Sequence, residues 1–129
     1  MDLRFPKKER LKSKKQIEQL FKEGNSISAF PLKLIYKKTP ETSEVKVQAA
    51  VSVPKKNFKS AVKRNRIKRL MRESYRLNKH RIFNNMEGNF AFLFLYLGKE
   101  IPEYTAVERC MLNIFNKLVK EESNAKITE

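Results

Sequence analysis

The sequence predicts one α+β domain, in which helices pack on a small mixed sheet of three to four strands. Three observations lead to this prediction: residues 45–53 alternate between apolar and polar side chains, residues 90–97 are apolar throughout, and other segments space their apolar residues as helices do. A chain of 129 residues has the size of a single domain, so we assign all of residues 1–129 to it. The predicted order of elements is α-β-β-α-β-α.

The N-terminal part of the chain is basic. Pro6 stands early in it, so we expect residues 1–12 to form an extended basic arm. A short helix follows, opened by a capping box and closed by a glycine suited to the left-handed conformation beyond a helix end. The residues that predict this helix are Ser13, Gln16, Ile17, Leu20, Phe21 and Gly24.

Two strands are predicted next. Residues 32–38 place Leu32, Leu34 and Tyr36 on one face of an extended segment. Residues 39–44 are polar and turn-rich, and we interpret them as a hairpin loop. The segment after this loop alternates so regularly that it predicts a half-buried strand. Its inward residues are Val45, Val47, Ala49, Val51 and Val53.

The third predicted strand, residues 90–97, is apolar on both faces, as expected of a strand that is covered on both sides. One face carries Phe90, Phe92, Phe94 and Tyr96. An aromatic stripe can stack unpaired bases, but we interpret this one as core, because four neighbouring aromatic side chains are too apolar to remain in water. Val51 and Leu95 are also expected to be buried.

Most of the excess charge lies in residues 55–81. This segment holds twelve Lys or Arg and a single acid, Glu73, in a chain of net charge +15. Ser60 is a candidate N-cap for a helix with two contrasting faces. The apolar stripe consists of Ile67, Leu70, Met71, Ser74, Tyr75 and Asn78, and the basic face of Lys68, Arg69, Arg72, Arg76 and Lys79. Solvated faces usually mix both signs to gain pairing one turn apart, so we interpret this face as a nucleic-acid-binding surface.

A last helix precedes a polar tail. Its capping box and its apolar spacing are carried by Tyr104, Thr105, Val107, Glu108, Met111, Ile114 and Leu118. We expect residues 122–129 to be a disordered tail.

Few side chains could perform catalysis. His80 is the only histidine and stands between two cations, so we expect it to be an exposed helix-end residue, and we expect Cys110, the only cysteine, to be a small buried hydrophobe. No Cys or His spacing suits zinc, and Glu73 is expected to pair with Arg69 or Arg76. The chain lacks a long apolar run, which predicts no membrane partner, and its lone cysteine fits a reducing, cytoplasmic compartment.

Residues 63–73, with the motif Arg64-Asn65-Arg66, resemble the signature helix of the bacterial ribonuclease P protein subunit. The family's basic loop is similar to residues 53–59, and the resemblance extends over residues 5–120. It implies a left-handed crossover in the sheet, where general rules favour a right-handed one.

The resemblance also implies a function. It suggests a subunit of the ribonucleoprotein that removes the 5′ leader from precursor tRNA, in the cytoplasm. In the family a large RNA performs the Mg²⁺-dependent hydrolysis, so the polypeptide is expected to supply no catalytic residue and to bind no cofactor or metal by itself. The implied partners are the catalytic RNA subunit and precursor tRNA, with no DNA or membrane.

The family's two RNA-contacting regions can be placed on this sequence. The basic loop and helix are expected to contact RNA through Lys55, Lys56, Lys59, Lys63, Arg64, Asn65, Arg66, Lys68, Arg69 and Arg72. A cleft between the first helix and the sheet is expected to hold the single-stranded leader, lined by Ile17, Phe21, Tyr36 and Ser52 and bordered by Lys55. Ile17 stands where the family usually has an aromatic residue. Lys33, which faces away from Tyr36 on a regular strand, is a weaker candidate for the cleft than Tyr36.

Two other functions fit parts of the sequence. A ribosomal protein or assembly factor would explain the charge equally well but would not need a separate, less basic cleft for single strands. A sequence-specific DNA binder is disfavoured because the chain lacks a helix-turn-helix pair and a dimer seam.

Overall fold

The computed structural model describes residues 5–40 and 45–128, with side chains described as far as residue 123. The helices are α1 (Lys14–Glu23), α2 (Ala61–Asn78), α3 (His80–Asn85) and α4 (Tyr104–Thr128), and a short 3-10 turn spans Lys7–Glu9. The strands are β1 (Asn25–Ala29), β2 (Leu32–Thr39), β3 (Val47–Ser52) and β4 (Asn89–Tyr96). The α+β class and the order of the predicted elements are confirmed, with β1 and α3 as additions.

The sheet has the order β1-β2-β4-β3. β4 lies antiparallel to β2 and parallel to β3, so β2 and β3 are not neighbours and the predicted hairpin at residues 39–44 is wrong. β4 takes the place between them because its two apolar faces are best covered in the middle of a sheet. Because β3 and β4 are parallel, the connection between them is a crossover. The left-handedness of this crossover stays a prediction.

Helices cover both faces of the sheet. On one face, α2 and α4 enclose a large core with the even-numbered residues of β2 and β4, so the aromatic stripe of β4 is core as predicted. On the other face, α1 packs Leu20 against Ile35, Ala91 and Leu93. Val51 and Leu95 are only half-buried, contrary to prediction, because each lies near the end of its strand where a helix no longer covers it fully.

The predicted start of α1 is confirmed, and its end differs in detail. Ser13 Oγ accepts a hydrogen bond from the backbone N–H of Gln16 at 3.3 Å. Gly24 has an ordinary φ of −73° and is not left-handed. A Cβ at Gly24 would lie 2.5 Å from the carbonyl oxygen of Leu20 and 2.7 Å from a methyl of Ile35. The glycine is therefore needed for the close approach of the chain to β2.

The predicted N-cap of α2 is also confirmed, since Ser60 Oγ accepts from the N–H of Lys63 at 3.3 Å. Ile67 and Met71 are fully buried against the sheet. Lys79 departs from the prediction that placed it on the basic face. Its side chain is buried and pairs with Glu9 of the N-terminal segment, a partner that no local pattern could indicate.

The described N-terminal segment and α4 are both docked on the sheet. The backbone N–H of Leu11 donates to the carbonyl of Ala49 at 2.9 Å, so the basic arm lies along the edge of β3. α4 continues to Thr128, so the described part of the tail that we expected to be disordered, residues 122–128, is helical. Near the start of this part, Tyr36 and Lys38 of β2 bind the carboxylates of Glu121 and Glu122. Residues 1–4, 41–44 and 129, which belong to the predicted arm, loop and tail, lie outside the described residues.

None of the helices in the described ranges is long and apolar enough to cross a membrane.

Candidate nucleic-acid interface

The predicted RNA-binding residues form one continuous basic surface, made of the loop at 55–59 and the outward face of α2. Eight of the ten are exposed, namely Lys55, Lys56, Lys59, Lys63, Asn65, Arg66, Arg69 and Arg72. Arg64 and Lys68 are half-buried. The loop and the helix thus present their cations together, as a polyanion would require.

Arg64 has a structural role within this surface. One of its terminal nitrogens donates to the carbonyl of Phe58 at 2.7 Å and to the carbonyl of Lys59 at 2.9 Å. These bonds fold the basic loop back onto the first turn of α2. Because a guanidinium has five N–H donors, the remaining donors of Arg64 can still reach a ligand.

A groove of about 300 Å³ lies between α2 and the N-terminal segment. The residues that line it are Phe5, Arg10, Asn65, Arg69, Arg72, Glu73 and Arg76. Burial, followed by the nearby positive charge of Arg10, lowers the pKa of Arg72. Four arginines and one acid line the groove, so a phosphate group there would meet several guanidinium donors.

Arg10 also lines this groove, although it was not among the site residues predicted from the sequence. Its guanidinium lies 5.3 Å from the ring centroid of Phe5, and the segment that carries it runs along β3, far from α2 in sequence. Glu73, the single acid of the groove, pairs with Arg76 at 2.5 Å, as one of the two predicted partners. This hydrogen bond lowers the pKa of Glu73.

A second, less basic surface lies on the opposite face of the sheet, beside α1. The register places Leu95 of β4 next to Lys33 of β2 and to Ser52 of β3, in a row across the face that α1 covers only in part. Ile17 packs on the apolar cluster of this face, and Phe21, one turn further along α1, is 59% exposed. Ile17 and Ser52 therefore lie on the face of the sheet beside α1, and Phe21 lies on α1 itself. That they line one cleft for a single strand stays a prediction. We call this the α1 cleft.

Tyr36 does not belong to the α1 cleft, and its assignment there is wrong. Its side chain is 3% exposed and lies on the opposite face, where its hydroxyl donates to Glu121 of α4 at 2.7 Å. Successive side chains of a strand point to opposite faces, so an alignment off by one residue exchanges the faces. Lys33, Ile35 and Lys37 are the β2 residues on the α1 side, and Lys33 was the weaker of the two β2 candidates for the cleft.

The remaining candidate chemistry is sparse. Among the described residues, no three His, Cys, Asp or Glu side chains come close enough to hold a metal ion. His80 is half-buried, with a buried Nδ1 that lacks a hydrogen-bond partner, so the prediction of an exposed histidine is wrong. Cys110 is also half-buried, and burial raises the pKa of its thiol.

Comparison with known proteins places this geometry in a family. The model of the family described as Ribonuclease P matches residues 5–119. The chain is similar to the ribonuclease P protein component of Porphyromonas gingivalis, with 39% identity over 108 residues that cover 81% of this chain and 79% of that protein. It is similarly related to the ribonuclease P protein component of Chlorobium phaeobacteroides, with 39% identity over 127 residues, or 84% and 86% of the two chains.

Solved structures share the fold. The RNase P protein of Staphylococcus aureus superposes with a TM-score of 0.70 at 18% identity, covering 85% of this chain and 94% of that one. The RNase P protein of Thermotoga maritima gives a TM-score of 0.68 at 23% identity, covering 84% and 96%. At these identities the likeness extends to the fold alone.

Proposed function

The chain belongs to the ribonuclease P protein family, and we propose that within ribonuclease P it performs two separate binding tasks. The basic surface binds the catalytic RNA, and the α1 cleft binds the single-stranded 5′ leader of precursor tRNA. The RNA subunit with Mg²⁺ carries out the hydrolysis, and the polypeptide supplies no catalytic residue. The ribonucleoprotein acts in the cytoplasm.

One observation carries this proposal: the two surfaces lie on opposite faces of the same sheet and differ in chemistry. α2 and α1 cover opposite faces. The loop at 55–59 begins three residues after Ser52, the last residue of β3, so the chain passes from the α1 cleft into the basic surface. A leader held in the cleft and a folded RNA on α2 could thus be bound at the same time.

The basic surface suits folded RNA. Side chains cannot read bases in the narrow major groove of an A-form helix, so recognition depends on phosphates and 2′-hydroxyls. Arg66, Arg69 and Arg72 can each bind two phosphate oxygens through a planar guanidinium. Asn65 lies among them and can both donate and accept, as contact with a 2′-hydroxyl requires.

The α1 cleft suits a single strand. Phe21 offers an exposed ring on which an unpaired base can stack. Lys33 provides a cation for the backbone, and Ser52 provides a hydroxyl on the floor. Ile17 gives an apolar contact at the position where an aromatic residue would stack a further base.

The second candidate function is that of a structural RNA-binding protein without a substrate, because the basic surface alone would be enough to bind RNA. Cleavage of precursor tRNA by the catalytic RNA of the same organism separates the two functions. At a low Mg²⁺ concentration, added protein should restore cleavage at the leader junction. If the protein binds the RNA tightly but leaves cleavage unchanged at every Mg²⁺ concentration, the protein is a structural binder.

A further inference from the structure

Phe30 has the most exposed aromatic ring among the described residues, with 77% of its surface in contact with solvent. It stands in the two-residue turn that joins β1 and β2. A phenylalanine ring left in water forgoes most of the stabilisation that burial would give. The folded protein itself therefore gains little from this ring, and a ligand is a reason to keep it exposed.

Three contacts hold the turn that carries Phe30 in place. The carbonyl of Pro31 accepts from the N–H of Leu97 at 2.7 Å, and the carbonyl of Phe30 lies 3.7 Å from the thiol of Cys110. Lys117 Nζ donates to the carbonyl of Ser28 at 2.9 Å, just before the turn. A platform held in place loses little conformational freedom when a ligand stacks on it.

Phe30 lies close to the α1 cleft along the sheet. Lys33, on the cleft floor, is three residues further along β2, which corresponds to roughly 10 Å at a rise of about 3.3 Å per residue. The exposed side chains of Leu97 and Ile101 belong to the connection that leaves β4 at this same end of the sheet. The turn that carries Phe30 therefore lies at the end of the sheet that a single strand would pass on leaving the cleft beyond Lys33.

We propose that Phe30 is a second stacking platform for the leader of precursor tRNA, and that it binds a nucleobase beyond those held in the α1 cleft. The proposal rests on the proposed function of that cleft. The distance of roughly 10 Å corresponds to about three stacked nucleotides, at about 3.4 Å each.

An unpaired base is the occupant that the chemistry favours. Every base has a π face and stacks on an aromatic ring whatever its identity. Lys33 in β2 and Lys99 after β4 bring positive charge to this end of the sheet, where Glu100, next to Lys99 in sequence, is the neighbouring acid. The platform also continues a surface already assigned to a single strand, whereas a protein partner would need a larger apolar area.

The experiment uses ribonuclease P reconstituted with its own catalytic RNA and precursor tRNAs whose leaders lengthen one nucleotide at a time. Dissociation constants are measured for the wild type, Phe30→Ala, Phe30→Leu and Phe30→Tyr. Phe21→Ala serves as the calibration, because the shortest leader that it affects marks where the α1 cleft begins to bind. Thermal unfolding of each free variant is measured first, and Phe30→Leu tests the ring if Phe30→Ala does not fold.

We expect the affinity of the wild type to rise again at a leader length greater than the one at which Phe21→Ala first has an effect. Phe30→Ala and Phe30→Leu should abolish this second rise, a loss of roughly five- to tenfold, the low part of the range for removal of an aromatic–base stack. Phe30→Tyr, which keeps the ring, should retain it.

Three results would overturn the proposal. The first is an unchanged affinity at every leader length. The second is an equal loss for all lengths and for mature tRNA, which would assign Phe30 to the catalytic RNA. The third is a change in self-association of the free protein with no effect of leader length, which would assign it to a second copy of the chain. If Phe21→Ala shows no dependence on the leader, the α1 cleft assignment fails separately, and Phe30 is still judged by its own variants.

Discussion

The ammonium of Lys79 lies 2.7 Å from a carboxylate oxygen of Glu9, with the two side chains only 2% and 10% exposed. This ion pair joins the end of α2 to the 3-10 turn of the N-terminal segment. The ring of Phe5 lies 5.3 Å from that of Tyr75 in the same junction. Arg10 follows Glu9 directly, so the ion pair holds one wall of the basic groove in place.

Lys79→Met should destabilise the protein by about 3–5 kcal/mol, because it leaves a buried carboxylate without a partner. The double variant Glu9→Leu with Lys79→Met should recover most of this loss, since replacing both charges by apolar groups is often close to neutral. Urea unfolding measures both values. If the double variant were as unstable as Lys79→Met, the ion pair would not explain how the segment is held.

Arg10→Gln should weaken assembly with the catalytic RNA by about 1–3 kcal/mol, the usual scale for hydrogen bonds to charged groups. Arg109→Gln is the matched control, because it removes the same charge from an exposed site on α4. Titration of the catalytic RNA with each variant at one fixed salt concentration gives the comparison. Equal losses for the two variants would mean that net charge alone, and not the groove, decides the affinity.

Local sequence patterns were sufficient to predict α2 and β4. The charge of α2 is divided between faces at a helical period, and β4 is apolar on both faces, so both elements could be predicted from consecutive residues. β1 could not, because Ile27 is its only buried residue and the strand depends on pairing with β2. The hairpin at residues 39–44 failed for a related reason, since a strand much later in the sequence enters between β2 and β3.

The candidate site could be predicted in part. The basic loop and helix carry their signal in consecutive residues, whereas the role of Phe21 is implied by the resemblance and stays a prediction. Arg10 faces α2 only because Glu9 reaches Lys79 across 70 positions of sequence. Tyr36 was placed on the wrong face because face assignment on a strand changes with every residue.

Tyr36→Phe tests that corrected placement. Loss of the hydrogen bond to Glu121 should cost about 1 kcal/mol of stability, since that carboxylate is exposed and regains water. Affinity for precursor tRNA should not change, because the hydroxyl lies on the face away from the α1 cleft. A loss of precursor affinity at unchanged stability would return Tyr36 to the cleft.

Acidification should destabilise the protein below about pH 5. A hydrogen bond from Lys37 lowers the pKa of Glu23, and one from Arg76 lowers the pKa of Glu73. Hydrogen bonds from Asn78 and Tyr104 lower the pKa of Glu108. A carboxyl with a lowered pKa in the folded state stabilises above its unfolded pKa, and this contribution disappears as the pH falls through the folded value.

Glu108→Gln tests how much of this pH dependence of stability comes from one carboxylate. Burial, with the hydrogen bond to Glu108, raises the pKa of Tyr104 to about 12, so its hydroxyl remains a donor throughout the acid range. The variant lacks one of the titrating groups, and its stability should fall less steeply between pH 5 and pH 3, measured by urea unfolding at each pH. Curves of equal slope would contradict a role for Glu108.

The central claim is that the basic surface binds the catalytic RNA while the α1 cleft binds the leader. Its most direct test is the affinity of the reconstituted ribonucleoprotein for precursor and mature tRNA, measured for Phe21→Ala and Arg66→Ala after each variant is shown to be folded. Phe21→Ala should weaken precursor binding by about 1–3 kcal/mol and leave mature tRNA unchanged, because only the precursor has a leader base to stack. Arg66→Ala should instead weaken assembly with the catalytic RNA. Equal losses for the two tRNAs in Phe21→Ala would contradict the account.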